Sequence, residues 1–282
     1  MNEYIDKFIS VITFNFDSVD LNNFYCNIKD IKINDKKPIR LPLMGSITTG
    51  RYDCTDNSID IYNAEPGVIY HELFHMASSR YEDSARYEGF ATNDYENYYG
   101  YIGHGLNEGY TELLTRRYFN TNEELSLAYD YLIYFANLIE MIIGKDNMQK
   151  YYLNANLPGL VLYLSKYFSK DTAELLIDNL DYLHINLDKR FFNKRKVTFA
   201  IKNTKEILLA VYINKLTDLY IKKEISKEEL INEINNYRNL LVNNKNELVF
   251  SETLEMVDMY IDNSLTNINI TLEESHKLIK KY

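Results

Sequence analysis

The order of apolar and polar residues divides the chain into two parts. In residues 1–65, short apolar runs alternate with polar residues and with turn-forming pairs such as Asn34-Asp35, a pattern typical of strands joined by turns. The strand-like runs are ITFNF, IKIN, IRLPL and SIDIYN. We therefore expect a small antiparallel sheet in this part of the chain.

Helical spacing begins at Gly67 and resumes after Gly105. Pro66 stands where a first-turn proline is favoured, and GVIYHELFHMASSR follows it. Further along, apolar residues recur three and four positions apart, and several helix starts are marked by Ser, Thr or Asp with Glu three positions later. These starts are Thr121, Asp171, Ser226 and Thr271. Residues 81–105 show no sustained period and predict a long irregular connection.

Together these patterns predict an α+β fold, with a small antiparallel sheet and helices at the N-terminal side and a mostly helical C-terminal half. Residues 1–120 would form the α+β part, and residues 121–282 a helical bundle packed against it. The chain has only four prolines and no Pro/Gly-rich linker. We therefore expect the two parts to pack as one continuous body.

Composition narrows the classes of partner and compartment. The 31 basic and 41 acidic residues give a net charge of −10, and no basic cluster is long enough to follow a phosphate backbone, so nucleic acid is not an expected partner. Cys26 and Cys54 form no CxxC pair, which excludes a zinc ribbon and indicates thiols in a reducing compartment. The N-terminus lacks the features of a secretory signal, and no window approaches the roughly 18 apolar residues of a membrane span. We expect a cytoplasmic protein without a membrane partner.

The segment VIYHELFHMAS carries the strongest chemical signal. His71 and His75 are four positions apart, so on an α-helix they differ by about 40° of rotation and can reach the same metal ion. Glu72 lies about 100° round from His71, where a carboxylate can act as general base on a water held by that metal. A pair of helix histidines without a metal is the alternative interpretation. A third ligand would decide between them, because catalytic zinc commonly takes three protein ligands.

A second segment, GHGLNEGYTELLTRRY, supplies carboxylates at the same helical spacing. Glu108 follows His75 by 33 positions, and Glu112 lies one turn further along a predicted helix. Two carboxylates stacked in this way repel each other, so a nearby cation would explain their placement better than a solvated surface does. Two His and one Glu are a known zinc-ligand set. The alternative is that Glu112 is an ordinary surface carboxylate.

HELFH followed by a helix bearing NEGYTE resembles the gluzincin metallopeptidases, the thermolysin-like group, over roughly residues 67–119. The resemblance implies hydrolysis of peptide bonds at one Zn2+ ion, with Glu72 as the catalytic base. The metal ligands that it implies are His71, His75 and Glu108. It also implies that Glu112 orients His71, and Asn107 matches the Asn that precedes the ligand Glu in that pattern. The implied partner is a peptide or protein substrate.

The resemblance leaves the residue that would assist the oxyanion unassigned. The two motifs are further apart than in the thermolysin type, and no counterpart of its downstream oxyanion-assisting histidine is evident, because His184 and His276 lie in ordinary amphipathic helices. The nearest candidates for a donor to the oxyanion are His104, Tyr101 and Tyr110. The segment NSIDIYN is expected to offer an exposed sheet edge to an extended peptide.

The sequence is compatible with two functions. The first is a zinc peptidase, and the absence of a GxMEN-like amine-binding motif favours an endopeptidase or oligopeptidase. The second is a catalytically inactive, zinc-binding module that resembles a peptidase and acts through protein–protein contact. The oligomeric state is left open.

Overall fold

The computed structural model describes residues 2–36, 49–62, 65–82, 85–93, 102–121, 127–187, 193–242, 258–259, 261–263 and 266. Some sequence predictions lie outside these ranges. They are the strand IRLPL, the helix starts that rest on Glu124 and on Thr271, His276, and most of the tyrosine-rich segment with Tyr101.

The fold is α+β: the described ranges contain six short strands, all between residues 32 and 93, with helices before, between and after them. The strands are β1 (Lys32–Asp35), β2 (Gly50–Asp53), β3 (Ser58–Ile61), β4 (Ser79–Glu82), β5 (Ala85–Glu88) and β6 (Ala91–Asn93). The helices are α1 (Asn2–Asn15), α2 (Asn22–Asn27), α3 (Pro66–Ser78), α4 (His104–Phe119), α5 (Leu127–Ile143), α6 (Lys145–Leu153), α7 (Leu157–Ser165), α8 (Lys170–Asn186), α9 (Lys194–Ile221) and α10 (Lys227–Val242).

The first sheet has the strand order β1-β3-β2. Because β1 runs parallel to β3 and β2 runs antiparallel to it, this sheet is mixed rather than purely antiparallel. Ile59 and Ile61 of β3 are buried, as expected for a central strand. The prediction that NSIDIYN offers an exposed edge is therefore wrong, since β3 is hydrogen-bonded on both sides.

The run ITFNF is helical where the sequence predicts a strand. Phe8, Ile12 and Phe16 recur every four residues and are fully buried, whereas Phe14 is 82% exposed. A strand would place Ile12, Phe14 and Phe16 on one face, so the burial pattern follows the helical period. Ile12 and Phe14 accordingly lie in α1, and Phe16 directly follows it.

A second sheet, with the order β4-β5-β6, occupies residues 79–93, and from residue 81 onward it replaces the predicted irregular connection. Both strand pairs are antiparallel. The strands are four, four and three residues long, too short for a period of two to stand out in the sequence. The prediction of an irregular connection is wrong for this stretch.

Helix α3 is enclosed on all sides. Every residue from Gly67 to Ser78 is buried, and the helix packs against α1, α2, α4, β2 and β3. Burial of a polar side chain costs free energy unless a partner compensates it. The polar residues on α3 are therefore expected to be tightly paired.

Helix α4 packs on α3 and also on α5 and α8 of the helical half. One hydrophobic cluster extends from Phe8 in α1 to Ile261, so both parts of the chain share a core. The domain boundary after residue 120 stays a prediction. Within the described ranges, no helix has the combination of length and apolarity that a membrane crossing needs.

Two of the predicted helix starts can be compared with the structure. At α10 the reciprocal cap is confirmed: the Ser226 backbone N–H donates to Glu229 across 2.7 Å, and the Glu229 N–H donates to the Ser226 hydroxyl across 3.2 Å. At α8 the helix begins at Lys170 and not after Asp171. The reason is that the Ser169 hydroxyl accepts the Thr172 N–H and caps the helix earlier.

Candidate metal centre

Helix α3 brings His71 and His75 onto one face. Their ring centroids are 4.7 Å apart, and the two Nε2 atoms are 3.0 Å apart. The side chains are only 11% and 3% exposed. The sequence prediction that the two imidazoles point to a common position is therefore confirmed.

Helix α4 brings Glu108 to the same position. Its Oε2 lies 3.3 Å from Nε2 of His71, and its Oε1 lies 3.5 Å from Nε2 of His75. The carboxylate is 15% exposed. One ligand atom from each of the three residues lies within 4.8 Å of the others, so the group could hold a metal ion.

The distances between the donor groups are short enough for one metal ion to be shared. Around a metal with ligand distances of 2.0–2.2 Å in a tetrahedral site, neighbouring ligand atoms are about 3.3–3.6 Å apart. The two Nε2 atoms are 3.0 Å apart, and each lies 3.3 or 3.5 Å from a different oxygen of the Glu108 carboxylate. Two imidazole nitrogens and one carboxylate also leave a fourth position, as catalytic sites require.

Each of the three side chains has a further hydrogen bond that fixes its orientation. Nδ1 of His71 lies 3.0 Å from Oε2 of Glu112, which is the role that the resemblance implies for that residue. Arg116 holds the other oxygen of Glu112 across 2.9 Å. Tyr129 of α5 donates its hydroxyl hydrogen to Oε2 of Glu108 across 2.5 Å.

The second imidazole has two neighbours at its outer nitrogen. Nδ1 of His75 lies 2.7 Å from Oε1 of Glu88 on β5 and 3.2 Å from Nδ2 of Asn107 on α4. Asn107 is thus beside the site, as expected from the sequence. Glu88 is a new member of the site.

Electrostatics couples these groups closely. Burial lowers the pKa of His71, but its hydrogen bonds to Glu108 and Glu112 outweigh burial and hold that pKa well above its ordinary value. Burial raises the pKa of Glu108, yet the positive charges of His75 and His71 bring it well below its ordinary value. The carboxylates therefore stabilise positive charge at this position, and a bound dication would supply it in place of protons.

Glu72 is buried beside the cluster and is not one of its three donors. Burial raises its pKa, while the charges of His75 and His71 act in the opposite direction. A Cβ atom added to Gly50 of β2 would lie 2.8 Å from Cγ and Oε1 of Glu72 and from Cγ1 of Val68, so a larger residue there would require these side chains to move. Glu72 thus faces the first residue of β2.

Tyr110 is not brought to the three donors. It lies about 200° round α4 from Glu108, and its hydroxyl donates to Oε2 of Glu140 across 2.7 Å. Arg117 donates to the same carboxylate across 2.6 and 3.0 Å. The hydroxyl is thus committed to a buried structural network, and the expected role of Tyr110 at an oxyanion is not supported.

His104 lies one turn before Glu108 on α4, and its ring stacks on that of His184 at a centroid distance of 5.9 Å. His184, on α8, is close enough for its charge to help lower the pKa of Glu108. The sequence placed His184 in an ordinary helix interface. Its proximity to the site depends on the packing of α8 against α4, which no sequence spacing reveals.

The start of α4 is fixed from the helical half. Asp181 of α8 accepts hydrogen bonds from the backbone N–H groups of Gly103 and Gly105, each across 2.7 Å. Backbone N–H groups in the first turn of a helix have no intrahelical partner, so this carboxylate satisfies them. The helix that carries Glu108 is thereby held in register.

Comparisons of this chain with protein-family models, with curated proteins and with solved structures found no match.

Proposed function

We propose that this chain is a zinc-dependent peptidase. The observation that supports it is the convergence of His71, His75 and Glu108 on one position, with the buried Glu72 beside them. Zinc is the metal we favour because imidazole with a single carboxylate suits it, whereas magnesium and calcium prefer all-oxygen sites. A zinc ion held there would lower the pKa of a coordinated water to about 7 and polarise a substrate carbonyl.

Glu72 is the general base in this proposal. Its raised pKa makes the carboxylate a better proton acceptor near neutral pH than an exposed glutamate. It takes a proton from the attacking water and returns a proton to the departing amine, so no net charge accumulates on the side chain. Its exclusion from the donor group leaves both oxygens available for this task.

The substrate we propose is a peptide in extended conformation. β2 is hydrogen-bonded to β3 on one side, and no other described strand pairs with β2. Gly50, its first residue, lies directly against Glu72. A peptide added along β2 would therefore pass the proposed base. This moves the expected substrate edge from NSIDIYN to the neighbouring strand.

The test combines metal analysis with turnover. Purified protein is analysed for zinc and assayed against a broad peptide library with and without a chelator. Glu72→Gln should abolish cleavage and keep the zinc content, whereas Glu108→Ala should lose zinc. Glu82→Gln is the control, because Glu82 is exposed on β4.

Two outcomes would count against the proposal. Equal zinc content in Glu72→Gln and Glu108→Ala would contradict the assignment of ligand and base. Stoichiometric zinc without cleavage of any library member would favour the inactive, zinc-binding module instead.

A further inference from the structure

The outer nitrogen of His75 has two neighbours that make opposite demands on it. Oε1 of Glu88, at 2.7 Å, can only accept a hydrogen bond when the carboxylate is ionised. Nδ2 of Asn107, at 3.2 Å, can only donate one. A single ring nitrogen cannot donate to Glu88 and accept from Asn107 at the same time.

The orientation of the Asn107 amide is fixed by a third group. Its Oδ1 accepts a hydrogen bond from the backbone N–H of Phe90 across 3.0 Å. Rotating the amide to present oxygen to His75 would break that bond and leave the buried Phe90 N–H without its acceptor. Asn107 therefore presents N–H groups to the ring.

Metal binding decides which neighbour is satisfied. A neutral imidazole that binds a metal through Nε2 must carry its proton on Nδ1. Nδ1–H matches Glu88 and not Asn107. The shorter distance agrees, because a hydrogen bond to a charged acceptor is shorter than one between neutral groups.

We propose that Glu88 is the positioning residue for His75, and that it selects the tautomer of His75 that can bind metal through Nε2. This rests on the proposed function, because it concerns the same metal centre. The resemblance on sequence includes Asn107 only as the residue that precedes the ligand Glu, and it assigns nothing to Glu88. Asn107 acts one step further out, by holding the turn that carries Glu88.

That turn is firmly supported. Gly89, the next residue, has φ of +56°, and a Cβ added there would lie 2.2 Å from Oδ1 of Asn107 and 2.4 Å from the ring of Tyr152. Its N–H donates to the Ser78 carbonyl across 3.1 Å. Only glycine fits this position, and the Glu88 backbone is thereby held beside α3.

The register of β4 and β5 also places Glu88 beside α3. β4 begins directly after α3, and its first residue, Ser79, is the partner of Glu88. The strand that pairs with β5 is thus a continuation of the helix that carries His75. Each of the two imidazoles accordingly has its own carboxylate, Glu112 for His71 and Glu88 for His75.

The experiment compares Glu88→Met, which removes the acceptor at similar length, with Glu88→Gln, which keeps an acceptor oxygen. Glu82→Met is the matched control on the neighbouring strand, where the side chain is 61% exposed. The tautomer of His75 is measured in metal-free protein by long-range 1H–15N correlation at alkaline pH. Zinc affinity is measured by competition with a chromophoric chelator.

We expect Glu88→Met to move the His75 proton from Nδ1 to Nε2, because Asn107 is then the remaining neighbour of Nδ1 among the described residues. Zinc affinity should fall roughly 10- to 100-fold. Glu88→Gln should keep the Nδ1–H tautomer and recover part of that affinity, and Glu82→Met should match the wild type. If Glu88 only stabilised the fold, Glu88→Met would leave the tautomer of His75 unchanged, and Glu88→Gln would have no tautomer to restore.

The inference is overturned if Glu88→Met keeps the Nδ1–H tautomer with zinc affinity within twofold of the wild type, or if Asn107→Ala alone switches the tautomer. Should Glu88→Met not fold, Glu88→Gln still tests the inference. The Nδ1 proton should remain but with a changed chemical shift, because its acceptor is then neutral; an identical chemical shift would overturn the inference. A wild type that binds no zinc would defeat the proposed function, while the tautomer comparison would still decide the role of Glu88.

Discussion

The hydroxyl of Tyr129 donates to Oε2 of Glu108 across 2.5 Å, and the Tyr129 ring lies 6.1 Å from that of His71. Burial raises the pKa of this phenol well above its ordinary value, and the charge of Glu108 raises it further. The phenol thus stays protonated and remains a donor to the third proposed ligand. The contact joins α5 of the helical half to the candidate metal centre.

Replacing Tyr129 by Phe tests that contact. The variant removes one hydrogen bond to a charged acceptor, which is worth about 1.5–3 kcal/mol in a typical case. We expect zinc affinity to fall roughly 10- to 100-fold and the far-ultraviolet circular dichroism to stay unchanged. Zinc affinity equal to the wild type in chelator competition would show that Glu108 is held by its other neighbours.

Tyr110→Phe should affect stability and not zinc affinity, the opposite of what we expect for Tyr129→Phe. Its hydroxyl is bonded to Glu140 and lies on the far side of α4 from the ligands. We expect the free energy of unfolding to fall by about 1.5–3 kcal/mol, with zinc affinity and turnover of the folded protein unchanged. Denaturant titration and a peptidase assay on the same sample separate the two effects. A selective loss of turnover would restore Tyr110 as a catalytic candidate.

Zinc should stabilise the fold by linkage. A ligand that binds only the folded state at 100 times its dissociation constant adds about 2.7 kcal/mol to the free energy of unfolding. We expect a higher melting temperature with zinc in the wild type and in Glu72→Gln, and a much smaller increase in Glu108→Ala. Equal increases in all three would indicate zinc binding elsewhere on the chain.

The burial of Lys205 predicts a pH dependence of the free energy of unfolding that does not involve the proposed metal ion. This residue of α9 is buried, its Nζ donates to the Leu241 carbonyl across 3.0 Å, and burial lowers its pKa from 10.5 to about 8. Between those values the unfolded chain binds more protons than the folded one, so stability rises with pH through this window. Across this window the free energy of unfolding rises by at most about 3 kcal/mol.

Lys205→Met removes this titration. We expect the variant to be more stable than the wild type at pH 7, with a difference that shrinks as the pH approaches 10.5. Denaturant unfolding at several pH values measures this difference, and Lys202→Met, a half-buried lysine on the same helix, is the control. A difference that is constant with pH would mean that Lys205 stays protonated in the folded protein.

Sequence reasoning was most successful where a single helix sets the geometry. His71 with His75, and Glu108 with Glu112, are related by one helical turn, and that relation is nearly rigid. The chemistry of zinc ligation then suggested which two helices must meet. Their convergence could be predicted because a specific chemical demand, and not only general packing, connects them.

Relations between separate elements were not accessible in this way. Glu88 lies in a four-residue strand whose pairing with β4 brings it to His75, and nothing in ARYE distinguishes it from a surface strand. Tyr129 and His184 reach the centre through the packing of α5 and α8. The strand prediction for ITFNF failed for another reason, since a five-residue stretch satisfies both an alternating and a helical pattern.

The hydrogen bonds of Asp181 to the start of α4 have a consequence for how this protein could be divided. The carboxylate belongs to the half that contributes none of the proposed ligands, yet two backbone amides of the Glu108 helix depend on it. A fragment ending near residue 120 would leave those amides without their acceptor. The ligand-bearing region is therefore not a portable module, and any chimaera or truncation meant to retain the centre must bring α8 with it.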